Sequence, residues 1–138
     1  MSDDPGQSQS LATILVSDRQ TLPVDEAGLV ELARTTLLGE GLRAVELSVS
    51  FVDDAEMEEL HVRYLNEAGP TDVLSFPLDE EEHHGVRMLG DVVMAPAAEL
   101  RLLLVHGILH VLGYDHETAD ERAVMWARQE RYSGVRTP

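Results

Sequence analysis

HGILHVLGYDH, residues 106–116, sets three imidazoles and a glycine in a run that is otherwise almost wholly apolar. It closes a longer stretch, AAELRLLLVHGILHVLG (97–113), that is apolar nearly all round and so predicts a buried central helix. On that helix His106 and His110, four residues apart, project from one face about 6 Å apart along the axis. Gly113 ends the helix, because glycine takes the left-handed conformation readily, and the returning chain can bring His116 back to the pair. Three neutral imidazoles with a fourth position open is the ligand pattern of a catalytic zinc site. One such ring could be a core histidine satisfied by a single hydrogen bond. Burying three would cost several times about 1–3 kcal/mol, which a metal ion relieves. His106, His110 and His116 are the expected ligands, for one zinc ion per chain.

Working outward, LATILVSDRQ (11–20) begins with a β-rich run and predicts a strand. PVDEAGLVELARTTLLGEG (23–41) predicts a helix, with Pro23 and acids at its start, Leu29, Leu32, Ala33, Thr36 and Leu37 on one face, and Gly39 or Gly41 at its end. AVELSVSFV (44–52) alternates Val45, Leu47, Val49 and Phe51 with polar residues, as a half-buried strand does. DDAEMEELHVRYLNE (53–67) opens on N-cap carboxylates and carries Met57, Leu60, Val62 and Tyr64 at helical spacing, with His61 expected at the surface. Gly69–Pro70 breaks it. TDVLSFP (71–77) predicts a short strand ended by Pro77, LDEEEHHGVR (78–87) an acidic loop, and MLGDVVMAP (88–96) another strand. ETADERAVMWARQERY (117–132) predicts an amphipathic helix with Ala123, Val124, Trp126 and Ala127 as its apolar positions. No repeat or linker divides the chain. The expectation is a single α+β (mixed α/β) domain over 11–132, with a sheet of about four strands and a buried central helix carrying the metal ligands. Disordered residues 1–10 and a short tail, 133–138, flank it.

Composition narrows the chemistry. The 138 residues, 43% hydrophobic, suffice for one core. No stretch is long and apolar enough to span a bilayer, and MSDDPGQSQS lacks a signal-peptide pattern, so a cytoplasmic location is expected. There is no cysteine, which excludes disulfides and thiolate chemistry. Twenty-six acids face ten bases, all arginine, for a net charge of −16. That field repels polyanions at long range and argues against broad nucleic-acid binding, though not against a local arginine-lined site or a bound cation.

The histidine run resembles the metzincin protease signature H-E-x-x-H-x-x-G-x-x-H, but Gly107 stands where the general-base glutamate belongs. Proteolysis is demoted accordingly. Gly107 either leaves room for substrate beside the metal or permits close packing against a strand. HGILHVLGYDH, GPTDVLSFP (69–77), LGDVVMAP (89–96) and AVMWARQER (123–131), in that order, resemble the YbeY family of ribosomal-RNA maturation factors, over roughly 11–132. The resemblance implies a zinc-dependent endoribonuclease with zinc at His106, His110 and His116 and single-stranded RNA as substrate. It further implies work on the small ribosomal subunit, in 3′-end maturation of its RNA and in ribosome quality control; no membrane or DNA partner is expected. Two departures stand out. Leu65 follows Tyr64 where the family carries an arginine facing the site, and the nearest base is Arg63. The family's insert between its GDVV-like strand and its histidine helix is missing, since MAP runs almost directly into AAELRLLLVHG.

Catalytic groups beyond the metal are weakly marked. Arg63 is a candidate for phosphate stabilisation. Asp115 and Glu117 flank His116, either to fix an imidazole tautomer or to act as general base, while Asp115 could equally cap the last helix. Thr71, Asp72 and Ser75 are candidate backbone positioners beside the cleft. His83 and His84, after a run of acids, fit a solvated loop better than a metal site. Two alternatives accompany the nuclease reading: a non-catalytic zinc-stabilised module that binds the ribosome, and a metal-dependent hydrolase or protease.

Overall fold

The computed structural model describes residues 12–65, 72–83, 85–96 and 99–135. The expected tail over 1–10, the break at Gly69–Pro70, Thr71, His84 and the joint at 97–98 lie outside those residues. The elements run β1 (Thr13–Asp18), α1 (Glu26–Gly39), β2 (Val45–Phe51), α2 (Asp54–Leu65), β3 (Val73–His83), β4 (Val86–Met94), α3 (Leu100–Val111) and α4 (Ala119–Ser133). They build an α+β fold around one four-stranded mixed sheet of order β1-β2-β4-β3. β1 and β4 each pair parallel with β2, and β3 pairs antiparallel with β4.

The sheet divides the helices. β2 buries Val45, Leu47, Val49 and Phe51 in strict alternation. On that face α1 contributes Leu29, Leu32, Ala33, Thr36 and Leu37, the five residues its periodicity predicted. The Thr36 hydroxyl is satisfied inside the core by donating to the Leu32 carbonyl, 2.8 Å away. α3 adds Leu104, Val105, Ile108 and Leu109, and α4 adds Met125. Each large aliphatic side chain buried there contributes about 1.5–3 kcal/mol. Val92 and Val93 are successive residues of β4 and point to opposite faces. Val92 joins that core, while Val93 meets Leu74, Val52, Ala95 and Met57 of α2 on the other side.

Four expectations change. The acidic stretch 78–87 is strand rather than loop: β3 continues to His83, and the turn carries Gly85 at φ 80° before β4 begins at Val86. β3 is an edge strand, where charged residues and Pro77, which lacks an N–H, are tolerated, and pairing with β4 overrides the local composition. Pro77 sits opposite Gly90, where the ladder slips and where a Cβ would lie 2.3 Å from the Phe76 carbonyl oxygen. On α4 the buried positions are Met125, Gln129 and Ser133, one strip at i, i+4 and i+8, while Ala123, Val124 and Ala127 are exposed. Two polar members disguised that strip. On α2, His61 is only 7% exposed, whereas Val62 is 46% exposed. Finally, Thr118 rather than Asp115 caps α4, in a reciprocal capping box with Glu121.

Candidate metal centre

Gly107 sets the height of α3 above the sheet. A Cβ there would lie 2.7 Å from Val92 Cγ1 and 3.0 Å from Val73 Cγ2. The Ser75 hydroxyl donates to the Gly107 carbonyl at 2.8 Å, tying β3 to the helix between its two histidines. Gly107 is therefore a packing residue, and Ser75 is the backbone positioner its place on the strand suggested.

α3 ends as the glycine predicted. Gly113 takes φ 106°, its N–H donates to the His110 carbonyl, and the Tyr114 N–H donates to the Leu109 carbonyl, the paired bonds of a Schellman motif. The reversal carries the chain back to His116, whose backbone N–H donates to Asp115 Oδ1 at 2.7 Å. The three imidazoles converge, with ring centroids 4.6 Å apart for His106–His110, 5.0 Å for His110–His116 and 5.6 Å for His106–His116. Their ligating atoms lie within 4.8 Å of one another, and all three residues are half-buried. Among the described residues this is the group of side chains able to hold a metal ion.

α4 buttresses the group from behind. His106 Nδ1 donates to Oε1 of Gln129, a residue only 2% exposed. A proton held at Nδ1 leaves Nε2 with the lone pair a metal requires. The Trp126 ring stands at an angle to both His106 and His116, with centroids 6.1 and 5.5 Å away. Burial lowers the pKa of His106, and the charges of His110 and His116 add to that against the opposing Gln129 bond. His110 is lowered by burial and by His116, against Asp115 and the Tyr114 backbone. Both shifts favour the neutral imidazole, the form that binds metal. Three imidazoles, one oriented by an amide oxygen, suit a borderline-soft divalent ion, so the donor set fits zinc.

The other candidates scatter. Arg63 lies on the exposed surface of α2, 3.1 Å from Glu59 one turn earlier. Leu65 is the last residue of α2. Asp72 is exposed, and its carbonyl accepts the Ala95 N–H. Glu117 is exposed. His83 ends β3. Sequence reasoning missed Gln129 and the Trp126 contacts. The available signal was the i+4 and i+8 spacing of Gln129 and Ser133 from Met125, which puts the glutamine on the helix face of an apolar residue.

A family model described as "Endoribonuclease YbeY" matches residues 16–98 and 95–134. The two pieces meet at Ala95–Ala98, where the sequence suggested a missing insert. Endoribonuclease YbeY of Mycolicibacterium paratuberculosis is 39% identical over 142 aligned positions, covering 86% of this chain and 80% of that protein. That of Streptomyces coelicolor is 39% identical over 141 positions, covering 85% and 86%. A solution structure of a Thermotoga maritima protein superposes with a TM-score of 0.51 at 27% identity, over 89% of this chain and 87% of that one. With its histidine cluster, its sheet and most of its length matched in this way, the chain belongs to the endoribonuclease YbeY family.

Proposed function

We propose that the protein is a zinc-dependent endoribonuclease that cuts single-stranded RNA. In this reading His106, His110 and His116 hold one zinc ion. The enzyme acts in the cytoplasm on the small ribosomal subunit, in 3′-end maturation of its RNA and in ribosome quality control. The observation that carries the reading is the convergence of three histidine donors within 4.8 Å, one buttressed by Gln129, in a chain of this family. A divalent ion bound there supplies Lewis acidity, polarising a phosphoryl oxygen and making water a better nucleophile near neutral pH.

The chain's own residues prepare the site. Gln129 keeps the His106 proton on Nδ1, and Ser75 and Gly107 hold α3 against the sheet. Asp115, beside His116, is the candidate to take a proton from the attacking water; Arg63, bonded to Glu59 on the outer surface of α2, is given no role in it. The net charge of −16 opposes extended contact with a polyanion, so RNA is held by a few local contacts and its binding has a shallow salt dependence. One observation favours a non-catalytic zinc-stabilised ribosome-binding module instead: Leu65 stands where the family's arginine is expected.

Cleavage separates the two. An unstructured RNA oligonucleotide should be cut by the purified protein, spared after chelation and cut again when zinc is restored, while its duplex stays intact. Zinc binding without cleavage would favour the module. Cleavage that survives both chelation and His116→Ala would remove the nuclease reading from this site.

A further inference from the structure

Glu40, the residue after α1, is far from the histidines in sequence, yet it joins the elements that surround them. Its side chain is 7% exposed. Oε1 accepts from the Tyr114 hydroxyl at 2.6 Å, and Oε2 accepts from Arg128 at 2.9 Å and from the Tyr132 hydroxyl. Tyr114 lies two residues before His116, on the turn that returns the chain to the cluster. Arg128 and Tyr132 are on α4, which presents Gln129 to His106 and Trp126 to His106 and His116. α1 and α4 also come close beside Glu40: a Cβ on Gly39 would lie 2.4 Å from the Tyr132 ring. Burial pushes the Glu40 carboxyl up, but the tyrosine hydroxyls and the Arg128 guanidinium outweigh it and hold the group below the usual carboxylate range.

We propose that Glu40 is a positioning residue for the metal centre, a clamp that fixes the His116 turn against α4 and so closes the tripod. His106 and His110 are set by one helix and by the Gly107 contact with the sheet. His116 has no such support from regular structure, since it sits between the end of α3 and the start of α4. Its distance from the pair therefore depends on what holds the turn to α4. Glu40 does so with both oxygens, one bonded to the turn and the other to the helix. An amide in its place has one acceptor oxygen and no charge, so it gives up the ion pair with Arg128 and can meet only one side as an acceptor, facing the other with its NH2 as a donor.

The proposal rests on the reading that the tripod binds a metal, and the test separates the two. Metal-free protein is titrated with Co²⁺ alone at neutral pH, reading both affinity and the visible d–d band, while a melting curve records fold stability. Glu40→Gln should weaken Co²⁺ binding about tenfold or more, within the 10–100-fold range for groups that orient metal ligands, and should change the band. Tyr114→Phe, which removes one hydroxyl and keeps the ring, should act in the same direction but less, and decides the question alone if Glu40→Gln does not fold. The two losses should be less than additive when combined, because they break one linkage. Leu32→Ala, a core truncation on α1, should lower the melting temperature yet bind Co²⁺ like the wild type. Wild-type affinity and band in both clamp variants would overturn the proposal, as would an equal loss in Leu32→Ala. A wild-type chain that binds no Co²⁺ would instead overturn the metal reading, and the clamp with it.

Discussion

α3 and α2 pack on opposite faces of the same sheet, and both carry histidine, yet among the described residues it is α3 whose histidines join a group able to hold a metal ion. α2 is held by Met57 against Leu74 and Val93, buries its one histidine, His61, and sends Arg63 to Glu59 on its outer surface. α3 has His106 and His110 on one face, a glycine that seats it on β3 and β4, and a left-handed turn that returns His116. α4 then supplies Gln129. Carrying a packed histidine does not by itself distinguish the two helices. The difference is convergence: a third donor brought back by a turn, and a neighbouring helix that fixes a ring.

The comparison breaks most sharply at His116. Its replacement by alanine should cost RNA cleavage more than the roughly 10²–10⁴-fold that a lone general base supplies, and far more than Asp115→Asn or Arg63→Ala. Initial rates on one oligonucleotide measure this. An Arg63→Ala loss as large as that of His116→Ala would move the chemistry towards α2. Gln129→Leu comes next. It removes the acceptor for His106 Nδ1 while roughly keeping volume, and should weaken zinc binding by about 10–100-fold in a chelator competition.

Stability sharpens the contrast at smaller scale. Gly107→Ala replaces a helical glycine, which alone would gain about 1 kcal/mol. The new methyl would meet Val92 and Val73 at 2.7 and 3.0 Å, however, and overpacking of that kind costs about 1–3 kcal/mol. Urea unfolding should show a net loss. Val62→Ala, on the exposed side of α2, should stay within about 0.5 kcal/mol. A stabilised Gly107→Ala would mean that α3 can rise off the sheet.

A pH effect follows from the buried rings. His106 and His110 have folded values lowered by burial, so the unfolded chain binds more protons as the pH drops. Their contribution is fully present above the ordinary imidazole value of about 6.5 and is lost as the pH falls through the lower folded values. The melting temperature of the metal-free protein should decline below that point. His106→Gln and His110→Gln together should flatten the decline, and an unchanged slope would place its origin elsewhere.

Much of this was legible in the chain because its signals are local. The i, i+4 spacing of His106 and His110, the stop at Gly113, the five-residue face of α1 and the alternation of β2 all depend on residues within a few turns of one another. What escaped depends on distant partners. The acids of β3 become strand only because β4 pairs with them, and His61 is buried by tertiary packing that helical periodicity did not reveal. Gln129 looks like a surface residue until His106, twenty-three positions earlier, is placed against it. Met125 was overlooked for a similar reason, since its strip continues through Gln129 and Ser133.

The central claim is that three histidines from one helix and the turn after it form a single metal site. Metal content tests it most directly. Protein purified with zinc present, then dialysed and analysed by mass spectrometry, should hold about one zinc per chain, because three imidazoles saturate one ion and no cysteine offers another strong site. His110→Ala should retain none. Stoichiometric zinc in His110→Ala, or none in the wild type, would contradict the account.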